Sequence, residues 1–194
     1  MKIGVFLARM QPLHNAHIFM VTEILKDCDK AIIALGSANK KDMLRNPFPL
    51  NLREEILRDE LKQVDPNRIE VFELPDWTME SDEKEKHIWG EYLYYNIVSR
   101  AKQKHFTFYY GDVPSIMLSW FPRDDIRNQL TFKFFERDST LQGLSATKIR
   151  EAILNNNTEY IAKFCPLAVQ CRINELRDIW LRVVENPEKD FSML

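Results

Sequence analysis

KIGVFLARMQPLHNAH, residues 2–17, holds a strand, a break and a helix start in one short run. Ile3, Val5, Phe6, Leu7 and Ala8 form the brief apolar stretch that fills the middle of a parallel sheet. Gln11 and Pro12 interrupt it, and Asn15 is placed to cap a helix carrying Ile18, Met20, Val21, Ile24 and Leu25 at helical spacing. Arg9, His14 and His17 then fall where a strand ends and a helix begins. Open α/β sheets bind ligands at such points, and a helix N-terminus attracts negative charge.

Outward from this stretch the same alternation repeats. Lys30 to Leu35 reads as a second buried strand, Arg68 to Leu74 as a third, His105 to Tyr110 as a fourth and Leu130 to Glu136 as a fifth. Helical periods separate them: one opened by Asn51 with Glu54 as a capping-box partner, one over 87–101, and a short one around Ser115 to Trp120. After the fifth strand Ser145 caps a helix through Leu154, and further helical stretches follow at Glu159–Phe164 and Leu167–Val184. The expected fold is α/β: a doubly wound, Rossmann-like parallel sheet of about five strands with a C-terminal helical tail. The best boundary lies near Asn155–Asn157, giving a body over 1–155 and a helical extension of the same domain over 156–194.

Composition narrows the function. With 194 residues, 45% hydrophobic, 29% charged and a net charge of −2, the chain is ordinary for a globular domain. It lacks the excess of positive charge expected of a nucleic-acid-coating or membrane-surface protein. No apolar run approaches the roughly 18 residues of a membrane span. The N-terminus lacks a signal-peptide pattern and reads as the first strand. Cys28, Cys165 and Cys171, an odd number without a CxxC, fit a reduced cytoplasmic setting, with Cys165 and Cys171 expected in buried packing.

The unusual polar residues follow the strands. Arg9, His14 and His17 come after the first, Lys40, Lys41 and Arg45 after the second, and Asp76 and Trp77 after the third. Gly111 and Asp112 follow the fourth, and Ser145, Thr147, Lys148 and Arg150 the fifth. In a parallel sheet these loops gather on one edge, making a cleft rich in cations, suited to a phosphate-rich small molecule. The segment SATKIR, 145–150, sharpens this. Lys148 and Arg150 at a helix start oppose the helix dipole by roughly 0.3–1 kcal/mol each unless an anion sits there. The ordinary alternative is that both side chains reach into water. His14 and His17 supply only half a tetrahedral zinc set, with no Cys, Asp or Glu nearby in sequence, so no metal site is assigned.

HNAH after the first strand resembles the HxGH signature of the nucleotidyltransferase superfamily, and SATKIR resembles its second signature, (I/Y)SxTxIR. ARMQPLHNAH, GSANKKDMLRNPF and SATKIR together resemble the archaeal-type nicotinamide mononucleotide (NMN) adenylyltransferases, and the matching half of proteins that fuse this domain to a Nudix hydrolase. The resemblance covers roughly residues 2–155. It implies that His14 and His17 contact the ATP phosphates, with Arg9, Arg45 and Arg150 around the triphosphate and Ser145 and Thr147 binding phosphate at the helix start. Lys148 joins the triphosphate set. Gly111-Asp112 matches a nucleotide-binding turn usually written GN, and Asp76 and Trp89 match the nicotinamide-nucleotide site, where Trp77 competes for the stacking role. Three departures are Ala16 in place of the signature glycine, Asp112 in place of asparagine, and a longer stretch between Asp76 and Trp89.

The implied reaction is adenylyl transfer from ATP to NMN, giving NAD and pyrophosphate, with Mg2+ arriving on ATP. Phosphate attacks already ionised, so no general base or covalent intermediate is needed. The alternatives are a sister enzyme with another phosphate acceptor, such as phosphopantetheine or a cytidylyl-transfer substrate, and a non-catalytic nucleotide-binding module. Expected partners are the small molecules ATP and NMN, not nucleic acid or membrane. The family often forms homo-oligomers, which makes the last helix a candidate interface.

Overall fold

Five alternating apolar runs become five parallel strands. The computed structural model describes residues 1–76, 86–111, 114–136 and 143–186. Its strands are β1 (Ile3–Ala8), β2 (Lys30–Leu35), β3 (Ile69–Glu73), β4 (Phe106–Tyr110) and β5 (Leu130–Phe134). They form one sheet in the order β3-β2-β1-β4-β5, with each neighbouring pair parallel. The chain winds outward from β1 to β3, then crosses to β4 and β5, so the winding reverses between β1 and β4. That reversal is where an open α/β sheet leaves a crevice.

The helices are α1 (Asn15–Asp27), α2 (Leu50–Leu61), α3 (Lys86–Ala101), α4 (Pro114–Ser119) and α5 (Asp124–Arg127). After β5 come α6 (Ala146–Leu154), α7 (Thr158–Phe164), α8 (Leu167–Gln170) and α9 (Ile173–Glu185). Side chains alternate across a strand, and here both faces are covered. Ile3, Val5, Ile32, Ala34, Phe106 and Phe108 pack with Leu93 and Ile97 of α3 and with Phe121. Phe6, Ile33, Leu35 and Tyr109 pack with α1, α2, α6 and α9 through residues such as Val21, Ile56, Ile149 and Leu176. Burying one such aliphatic side chain contributes about 1.5–3 kcal/mol. Gly4 lets α1 lie this close. A Cβ there would sit 2.4 Å from Ile24 Cγ2 and 3.1 Å from Cys28 Sγ.

Several local expectations are corrected. His14, not Asn15, is the cap of α1, with extended φ −150° and ψ 168°. Asn15 is the first helical residue, and its Nδ2 donates to the Lys163 carbonyl at 3.1 Å instead. α2 starts at Leu50 behind Pro49 with no side-chain cap, so the Asn51–Glu54 capping box is not formed. The 167–184 stretch is two helices, α8 and α9, parted at Cys171 and Arg172. Gln170 turns back there to donate to the Cys165 carbonyl at 2.8 Å. Cys165 is buried but Cys171 is exposed. The short α5, which precedes β5, carries only four residues and too little periodicity to be read from sequence.

Candidate functional site

Because the strands are parallel, the loops leaving their C-terminal ends share an edge. Main-chain and side-chain bonds then tie those loops together. Gly36 N–H donates to the Ala8 carbonyl at 3.0 Å. Gln11, buried in the loop after β1, clasps Phe48 from both sides. Its Nε2 donates to the Phe48 carbonyl at 3.0 Å and its Oε1 accepts from Phe48 N–H at 2.8 Å. Asn39 does the same for the loop after β3, donating to the Asp76 carbonyl at 2.7 Å and accepting from its N–H at 2.8 Å.

The histidine pair forms at the start of α1. Their rings stack with centroids 3.8 Å apart at 22°. The His14 N–H donates to His17 Nδ1 at 3.2 Å, occupying that nitrogen as an acceptor. A neutral His17 ring therefore carries its proton on Nε2, where it serves as a donor. The side chain fills the place that Glu or Gln takes in a capping box. Ala16, between the two, lies in the apolar core with Met20 and Val21, so its methyl is accommodated by packing.

α6 brings the second signature to the same edge. Ser145 caps it, its Oγ accepting from Lys148 N–H at 3.4 Å. No acid occupies its first turn, and Thr147 and Lys148 are exposed. Arg150 points back across the sheet. Its Nη1 donates to the Gln11 carbonyl at 2.7 Å, and its Nη2 to Thr147 Oγ1 at 3.2 Å. Trp180 of α9 backs the guanidinium, whose carbon lies 5.4 Å from a ring centroid of the indole. Burial and then the charge of Arg9 pull the Arg150 pKa below its ordinary value. The carboxylate of Glu151 offsets part of that effect.

Arg9 follows β1 and Arg45 is exposed in the loop between β2 and α2. Gly111 follows β4 directly, while Asp112 and Trp77 lie outside the described residues. Asp76 is buried after β3, with Lys40 Nζ 3.4 Å from its Oδ2. Trp89 of α3 is also buried, 5.7 Å from Tyr92 and 6.2 Å edge-on to Trp120 by ring centroids. Its Nε1–H meets no acceptor among the described residues. Gly90 allows this contact, since a Cβ there would fall 1.8 Å from the Trp120 carbonyl oxygen.

Sequence reasoning missed Arg53, Gln11 and Trp180. Arg53 did leave a signal, because it lies three and four residues before Ile56 and Leu57, on the apolar stripe of α2. A cleft of about 620 Å³ lies at the opposite end of the sheet, lined by Lys2, Asp27, His105, Tyr109 and Lys133 among others. It sits by the first residues of β1, β4 and β5, away from the signature segments. Among the described residues, no group of three or more His, Cys, Asp or Glu could hold a metal ion, and no helix is long and apolar enough to cross a membrane.

Known proteins resemble this chain in sequence and in fold. A nicotinamide-nucleotide adenylyltransferase of Pyrobaculum arsenaticum is 41% identical over 75 residues, which is 38% of this chain and 42% of that protein. The chain thus aligns with less than half the length of that relative. A bifunctional NMN adenylyltransferase/ADP ribose pyrophosphatase from Francisella tularensis, complexed with AMP and a Mn ion, shares the fold. It is 18% identical with a TM-score of 0.62, over 93% of this chain and 56% of that one. The NadR protein in complex with NAD and AMP-PNP matches with a TM-score of 0.62 at 22% identity, over 81% of this chain and 44% of its own. Residues 5–152 match the cytidylyltransferase-like family, and this chain belongs to that family.

Proposed function

We propose that the chain transfers the adenylyl group of ATP to nicotinamide mononucleotide, releasing pyrophosphate and forming NAD. The observation that carries this is the Arg150 bond to the Gln11 carbonyl, which spans 139 residues and brings SATKIR against the loop that ends in HNAH. The identity to archaeal-type relatives supports the choice of acceptor.

The mononucleotide's phosphate oxygen forms a bond to the α-phosphorus of ATP, and the bond from that phosphorus to the β-bridging oxygen breaks. The attacking oxygen is already ionised at neutral pH, so the protein supplies alignment and charge stabilisation. His17 donates from Nε2, with His14, Arg45, Lys148 and Arg150 meeting the charge that develops on the α-phosphate and pyrophosphate. Arg9, Ser145, Thr147 and the Gly111-Asp112 turn hold ATP. Asp76, Trp77 and Trp89 hold the nicotinamide nucleotide. Mg2+ enters as part of the substrate, MgATP. Residues 1–155 form the nucleotide-binding body and residues 156–194 its helical extension. The partners are small molecules and the setting cytoplasmic.

The test is a coupled assay with ATP, Mg2+ and either the amide or the acid mononucleotide, run on the wild type and on His17→Ala. The expected result is NAD or its acid analogue from the wild type, with a loss on the order of 10²–10³ in the variant. Turnover only with a different phosphate acceptor would identify a sister transferase, and ATP binding without any turnover a binding module.

A further inference from the structure

Arg53 is 2% exposed and lies on α2, yet it bonds to three segments at the strand ends. Its Nη1 donates to the Arg9 carbonyl at 2.7 Å and the Gly36 carbonyl at 2.9 Å. Its Nη2 donates to the Ser37 carbonyl at 3.0 Å and its Nε to the Phe48 carbonyl at 3.1 Å. Every one of these acceptors is main chain, in the loops after β1 and β2; these loops carry Arg9 and Arg45, and the first leads into the start of α1 with His14 and His17. Three non-glycine residues of the same loops take left-handed backbone, Met10 at φ 52°, Ser37 at φ 48° and Asp42 at φ 57°. Such conformations persist where the surroundings over-determine them, and here Met10 adjoins one clamped carbonyl and Ser37 carries another.

We propose that Arg53 is a positioning residue for the polyphosphate, clamping the loops after β1 and β2 at the separation in which their phosphate-binding side chains converge. This deepens the function proposed above and rests on it. The planar fork of a guanidinium spreads its donors over four carbonyls, whereas an ammonium donates from one point. Burial lowers the Arg53 pKa to about 10, against the attraction of Asp76, so the group stays protonated at neutral pH. Its donors end on carbonyls, and the carboxylate of Asp76 offsets part of its charge.

Arg53→Lys in the full chain is the test, because it keeps the charge and removes the fork. Three quantities are read: ATP affinity by calorimetry without mononucleotide, KM for ATP and kcat per folded molecule, and amide exchange over residues 36–48. The expected result is a raised KM for ATP, kcat/KM lower by about 10²-fold, and faster exchange at Gly36 and Phe48 with cooperative melting retained. Wild-type affinity, KM and exchange, with only a lower Tm, would overturn the proposal. A second reading comes from Arg53→Ala with added methylguanidinium, which should restore ATP affinity. A folded variant that is not rescued, or loss of fold in both variants, also counts against positioning. Should the wild type bind ATP but fail to adenylate either mononucleotide, the acceptor assignment falls while the Arg53 effect on ATP affinity still reads out.

Discussion

The two ends of the sheet hold charge in different ways. At the end where the strands begin, cations meet carboxylates. Lys133 bonds to Asp27 and Lys30 pairs with Glu70 at 2.6 Å, and neutral donors join them, the Tyr109 hydroxyl to Asp27 and the main-chain N–H of Lys2 to Asp29 at 2.7 Å. At the end where the strands finish, Lys40 still faces Asp76 at 3.4 Å, but the bonds of Arg53 and Arg150 run to carbonyl and hydroxyl oxygens. A carboxylate cancels a cation's charge, while a carbonyl orients the cation and leaves its charge in place. A chain with a net charge of −2 can therefore build a positive rim without an excess of basic residues. Solvent screens the pairs where the strands begin, so they add little to stability.

The sharpest way to break this contrast is to remove one cation from each end. Arg150→Ala should lower kcat/KM for adenylyl transfer by about 10²–10³, or roughly 2.7–4 kcal/mol in the transition state. Lys133→Ala should leave turnover unchanged. Steady-state kinetics on both variants decides it, and equal losses would end the distinction. Gly4→Ala probes whether the ends are mechanically joined, because Ile24 and Cys28 near the far end of α1 crowd that position. Overpacking there should cost about 1–3 kcal/mol, read from the urea midpoint. A raised KM for ATP alongside it would show that α1 transmits the shift to His14 and His17.

The smallest effect is a pH effect. The hydrogen bond from Lys133, then that from Tyr109, holds the Asp27 carboxyl below its ordinary value of 3.8. A folded-state value below the unfolded one gives stability that is present above about pH 4 and lost as pH falls through the folded value. Asp27→Asn should therefore flatten the acid limb of the stability curve below about pH 4, with turnover near neutrality unchanged. Denaturant titrations in that range and at neutral pH check it, and an unaltered acid limb would show the network to be inert.

What was legible in the chain was what neighbouring residues report. Lys30–Leu35 was readable to the residue because an unbroken apolar run ends at a glycine. Ser145 was readable as a cap because its hydroxyl serves a backbone N–H three residues on. Asn15 and Asn51 misled because a good capping residue does not cap when the chain direction is set elsewhere. At α1 the His17 ring occupies the His14 N–H, and ahead of α2 the Gln11 side chain holds Phe48. Cys171 misled because the break between α8 and α9 turns it outward.

The sequence by itself determined the alternation of strands and helices, the two signature segments and the excess of cations after the strands, all of which depend on spacing within a few residues. Only the tertiary structure decided the sheet order, the bracing of Arg150 by Trp180, and the convergence of four carbonyls on Arg53. Those depend on hydrogen bonds and ring contacts between distant segments. Where the acceptor is a main-chain oxygen, as in every bond Arg53 makes, any residue can provide it, so nothing in the partner's identity records the contact.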